Sequence, residues 1–174
     1  MKKLALTFGF VLLLALLACS SKELSRSSAK SIINSSKRHV TVSVFTEPAY
    51  FLKGDQFWNV FSALQQLGYA IVTPSSIGFK AHFTDKMPSS MIVHKQGDSV
   101  DLSLGDIVAD DITGISDAPM SQGYKVADFT GHVKLNELGE LIVSKSKTKN
   151  GIRGNAEFKK YDDGWRLEKL RLTE

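Results

Sequence analysis

The chain has 174 residues, 43% of them hydrophobic and 9% aromatic, with a formal net charge of +4. That is enough apolar material for the core of one domain, and it excludes a disordered or low-complexity chain. The charge is no argument for nucleic acid, because Lys2 and Lys3 at the start of the chain supply half of the excess.

Those two lysines are followed by Leu4 to Ala18, a run of 15 residues without a charge. A helix that spans a bilayer needs about 20. A basic start, a short apolar core and small residues at its end make the pattern of a secretory signal peptide over residues 1–18. Leu16-Leu17-Ala18-Cys19 resembles the lipobox of bacterial lipoproteins. The resemblance implies that the Cys19 thiol takes a diacylglycerol, that cleavage falls just before it, and that the new amine is acylated, with palmitate for example. Membrane lipid would then be a partner through Cys19, and the cell envelope would be the address. Ser20, where inner-membrane lipoproteins tend to carry aspartate, implies the outer membrane facing the periplasm if the host has one. Each buried methylene contributes about 0.8 kcal/mol, so two or more acyl chains hold stably. Cys19 is the only cysteine, so no disulfide can form within the chain on that oxidising route.

Residues 19–36 read as an acylated tether and a short helix. Ser25 is a candidate N-cap with Leu24 before it and Ala29 four positions after, and Ala29, Ile32 and Ile33 follow helical spacing from Arg26 to Ser36. Lys22, Arg26, Lys30, Lys37 and Arg38 stand here against Glu23 alone. Such a charge either attracts anionic head groups beside an anchor or forms a solvated face. Asn34-Ser35-Ser36 matches a glycosylation sequon, which a bacterial address discounts.

Residues 37–174 read as a single α+β domain. Val40, Val42 and Val44 alternate with polar residues as a strand. Phe57, Val60, Phe61, Leu64 and Leu67 lie on one helical stripe, capped by Asp55 and ended by Gly68. Tyr69 to Thr73 is a strand closed by a turn at Pro74-Ser75-Ser76. Phe79 to Phe83 is another, and Val100, Leu102 and Leu104 alternate after a turn at Gln96-Gly97-Asp98. Asp106, Asp110 and Asp111 read as strand-end and turn residues. Ala127, Phe129, Gly131, Val133 and Leu135 make one face of a long strand, and residues 144–154 read as a mobile loop. A hairpin from Ala156 to Leu167 turns at Asp162-Asp163-Gly164, which suits a type I turn with a bulge. The expectation is short N-terminal helices followed by a mostly antiparallel sheet of about six to eight strands, with one helix packed on it. The closing AEFKKYDDGWRLE stretch is similar to the last strands of the nuclear-transport-factor-2-like (NTF2-like) cone fold.

No catalytic set emerges. Gly97-Asp98-Ser99 lies mid-chain without the histidine context of a lipase block, and Gly114 to Ala118 lacks the second glycine of a nucleophile elbow. His39, His82, His94 and His132 are scattered, with no spacing suited to a metal. Around Pro48 and Gly54 the aromatics cluster. Phe57 and Phe61 belong to the core. Tyr50, Phe51 and Trp58 are either core or a contact patch for an envelope protein partner. Two function classes follow. One is a membrane-anchored envelope lipoprotein acting as a non-enzymatic binding or assembly module. The other is an NTF2-like domain that holds a small ligand, with or without weak enzymatic activity.

Overall fold

The computed structural model describes residues 23–45, 49–119, 121–143 and 151–173, apart from the side chain of Gln56. Residues 1–18, the lipobox and Cys19 lie outside the described residues. Ser25 caps the first helix, α1 (Arg26–Ser35), by accepting the Ser28 amide at 3.1 Å. Leu24, Ala29 and Ile33 are buried beside it, so an apolar staple fixes the angle at which the chain enters the helix. There follow β1 (His39–Phe45), β2 (Ala49–Phe51), α2 (Gln56–Gln66), β3 (Ala70–Ser75) and β4 (Gly78–Phe83). A short 3-10 turn at Ser89–Met91 leads to β5 (Ile92–Gln96), β6 (Ser99–Asp117) and β7 (Tyr124–Leu135). Helix α3 (Glu137–Ile142), β8 (Ile152–Tyr161) and β9 (Gly164–Thr173) complete the order.

The architecture is α+β and antiparallel, with nine strands among the described residues divided between two sheets. The large sheet runs β1-β6-β7-β8-β9, with β5 also paired to the first residues of β6. The small sheet runs β2-β4-β3. Ile152, Arg153 and Gly154, expected in a loop, are strand residues of β8. Pro74, expected in a turn, lies within β3, an edge strand where a missing N–H is tolerated. In the last hairpin Tyr161 pairs with Gly164, so Asp162 and Asp163 alone form the turn, and Gly164 takes a φ of +136°.

Strand β6 is the longest element, at 19 residues, and it is not regular. Its pairing shifts by one residue opposite Val40/Thr41, again at Ala109/Asp111 and again at Ile112/Gly114. Each bulge reverses which parity of residue faces inward. Val100 and Leu102, then Ile107 and Ala109, then Ile112, therefore all reach one apolar face and are buried. Asp106, Asp110 and Asp111 consequently lie within a continuous strand, not at its end or in a turn.

That face carries two clusters. In one, Val60, Phe61, Ala63 and Leu64 of α2 pack with Phe51, Ala70 and Ala81 of the small sheet and with Val44, Val100 and Leu102 of the large one. In the other, Ala29 and Ile33 of α1 pack with Ile107, Ile112, Ala127, Phe129, Ala156 and Phe158. Val40 touches both. Beyond the end of β1, helix α1 takes the place of a strand at the side of β6. Asn34 accepts the Ala109 amide at 2.8 Å and donates to the Ala109 carbonyl at 3.2 Å. One and two turns earlier, Lys30 donates to the Asp110 carbonyl and Arg26 to that of Thr113. Two of the basic residues of this segment, Arg26 and Lys30, thus close a strand edge together with Asn34.

Candidate functional site

The aromatic segment splits between core and surface. Phe51, at 4% exposure, stacks on Phe61 with ring centroids 5.0 Å apart, so it is removed from any contact patch. Alternation along β2 makes this necessary, because Ala49 and Phe51 face inward and leave Tyr50 outside. Tyr50 is 51% exposed. Trp58 is half-buried, with its ring 4.7 Å from that of Phe79 and the Lys53 ammonium 6.0 Å from its centroid. Phe61 is in the core as expected, whereas Phe57 is half-buried and meets the exposed ring of Phe45 edge-on.

Tyr50 does not stand alone. The outer face of the small sheet also bears Ile71, and the turns at one end of that sheet carry Leu52 and Ile77. Leu52 and Ile77 are 62% and 66% exposed, and a β-carbon on the neighbouring Gly78 would lie 3.0 Å from the Leu52 side chain. Lys80 and His82 share the outer face, so it is apolar with a basic element. Tyr50, Leu52, Ile71 and Ile77 thus bring four exposed apolar side chains to one small sheet.

A second arrangement lies on the opposite, polar face of the large sheet. Register places His39 of β1, Asp106 of β6 and Lys134 of β7 in one row across three strands. His39 Nδ1 is 2.8 Å from Asp106 Oδ1 and 3.4 Å from the hydroxyl of Ser103, a buried serine. Pro88, Ser90, Met91, Asn136 and Glu137 wall a cavity of about 500 Å³ over this row. Asn136 caps α3 by accepting the Gly139 amide at 2.9 Å and donates to the Ser103 carbonyl at 2.7 Å, which fixes the wall to the sheet. Glu137 accepts the Tyr69 hydroxyl, and this bond holds the Tyr69 phenol above its ordinary pKa.

Serine, histidine and aspartate side by side invite comparison with a nucleophile triad, but the geometry does not make one. In a triad the carboxylate holds one ring nitrogen and the serine meets the other. Here Ser103 and Asp106 both address Nδ1, so the imidazole cannot pass a proton between them. The row is a polar lining able to hold a small polar ligand. Helix α3 and this cavity were not legible in the sequence, although Asn136 before Glu137 is a capping signal that marks the helix start.

The remaining sequence-marked residues are dispersed. His132 pairs with Asp110 at 3.0 Å, His94 is exposed on β5, and Gly97-Asp98 turns between β5 and β6. Among the described residues no group of three or more candidate ligands could hold a metal ion, and no helix is long and apolar enough to cross a membrane. No family model, no curated protein and no solved structure matches this chain.

Proposed function

We propose that the chain is a bacterial envelope lipoprotein, held to a membrane by acyl chains on Cys19 and acting as a non-enzymatic binding or assembly module. The lipobox Leu16-Leu17-Ala18-Cys19 supports the anchor. The observation that carries the binding role is the small sheet, where Tyr50 and Ile71 on the outer face and Leu52 and Ile77 in the turns at one end are each about half or more exposed. Position supports it as well. Glu23, the first described residue, pairs with Lys125 beside Asp117, at the far end of β6 from the cluster that holds the small sheet. A partner could therefore reach Leu52 and Ile77 without competing with the tether. The second reading, a small-ligand module, draws on the cavity over His39 and Asp106. Its lining carries Lys37, His39, Asp106, Lys134 and Glu137, whose charges and hydrogen-bonding groups suit a polar ligand.

Native mass spectrometry of protein purified gently from its own membranes tests both halves. A chain lacking residues 1–18 and carrying acyl mass is expected, with a second protein bound. The double variant Leu52→Ser with Ile77→Ser should keep the acyl mass and lose the second protein. An uncleaved, unacylated chain would overturn the anchor. A bound small molecule with no protein partner would move the cavity reading ahead.

A further inference from the structure

The edges of the two sheets are not protected alike. An exposed edge offers unpaired N–H and C=O groups to any passing strand, and folded proteins blunt such edges with charge, proline or shortness. Strand β9 carries Arg166, Glu168, Lys169 and Arg171. Strand β5 is five residues long and carries Lys95, β3 contains Pro74, and β2 has three residues. Strand β1 has none of these devices. Its seven residues, His-Val-Thr-Val-Ser-Val-Phe, include no lysine, arginine, aspartate, glutamate or proline. Among the described residues it pairs only with β6.

A groove of about 420 Å³ runs beside it, lined by Thr41, Val42, Ser43, Val44 and Phe45 in unbroken succession, with Phe57 and Val60 of α2 opposite and Ser99 of β6, the partner of Phe45, at one end. A groove over one face of a strand would touch alternate residues. Contact with every residue in turn puts this groove along the backbone edge, where an added strand would lie. The strand also reads alike in both directions. Val40-Thr41-Val42-Ser43-Val44 reversed is valine, serine, valine, threonine, valine. About a two-fold axis residue i faces residue j and j faces i, so this near-palindrome sets valine against valine and hydroxyl against hydroxyl.

We propose that β1 pairs antiparallel with β1 of a second copy of this chain, on a two-fold axis through Val42. Val42 then meets its own counterpart, Val40 meets Val44, and Thr41 meets Ser43. The inward valines extend one apolar face across the seam, and the absence of charge leaves no like-charge repulsion against it. A pair of seven-residue strands with one groove is smaller than an obligate interface, so the association is a concentration-dependent equilibrium.

Sedimentation velocity of the full chain in detergent, over a range of concentrations, tests this with the variants Thr41→Lys and Thr41→Glu. Thr41 is exposed, so both variants should melt near the wild-type temperature. The wild type is expected to shift from monomer to dimer as concentration rises. Each variant should associate several-fold more weakly, because two copies of residue 41 lie diagonally across the seam with like charges. An equal mixture of the two should recover dimer as a heterodimer. A wild type that stays monomeric overturns the proposal. So does association that is equal in all three proteins, which would arise from the apolar leader or the acyl chains. A mixture that stays monomeric overturns the two-fold register.

Discussion

Gly154 of β8 sits where the backbone of β9 and the ring of Phe129 converge. A β-carbon there would lie 2.5 Å from the Arg171 carbonyl oxygen and 2.7 Å from a Phe129 ring carbon. Phe129 is itself buried among Ile112, Ala127 and Phe158, so a shift of its ring would disturb that packing. Gly154→Ala is therefore expected to cost about 1–3 kcal/mol, the usual range for overpacking, read from the urea midpoint. Tyr69 gives a residue-scale effect of a different kind. Glu137 accepts its hydroxyl and raises its pKa, so the folded chain binds that proton more tightly than the unfolded chain does. The contribution is complete below the ordinary phenol value of about 10 and is lost as pH rises through the folded titration. Wild-type stability should accordingly converge on that of Tyr69→Phe in alkaline solution, where urea titrations at stepped pH would follow it. The ring is half-buried but its bond to Glu137 lies at the surface, so the difference is small.

At the scale of elements, the helix α1 shows how a helix can finish a sheet. Residues 26, 30 and 34 recur every fourth position, and each bonds to the β6 backbone where β1 has stopped. Asn34 matters most because its amide serves both polar groups of Ala109. Asn34→Ala leaves an N–H and a C=O without their partner, and about 1–3 kcal/mol of stability is expected to go with them. Chemical denaturation measures the loss, and faster amide exchange at Ala109 would locate it. Helix α1 was legible from Ser25, Leu24 and Ala29, and α2 from its apolar stripe and Asp55, because capping and periodicity are local signals. The class of the fold and the β7 face followed from alternation in the same way. Beyond Leu104, β6 was not legible. Its three bulges break the two-residue period, and the carboxylates at 106, 110 and 111 then look like the end of a strand. Of the candidate contact residues, Tyr50 and Phe51 could have been separated by alternation along β2 alone. The row of His39, Asp106 and Lys134 could not, because register between distant strands has no signature in any one of them.

For the molecule as a whole, β6 joins two clusters that would otherwise be separate cores. Val100 and Leu102 belong to one and Ile107 and Ile112 to the other, and Val40 of β1 touches both. Each cluster has one tryptophan packed against it, Trp58 in the first and Trp165 in the second. Trp58→Phe and Trp165→Phe therefore report on the two clusters separately by fluorescence. Coincident unfolding midpoints are expected, since neither cluster can lose β6 without disturbing the other. Midpoints that separate would show two independently melting halves.

The contacts of α1 also set an order in time. Its anchoring bonds reach 75, 80 and 87 residues along the chain, from Asn34, Lys30 and Arg26 respectively. A polypeptide made from its N-terminus must carry this helix without its seat until Thr113 has been added. At synthesis rates of about 5–20 residues per second, that interval lasts roughly 4 to 17 seconds. The first part of the domain to be made thus has no seat until well after it has been made.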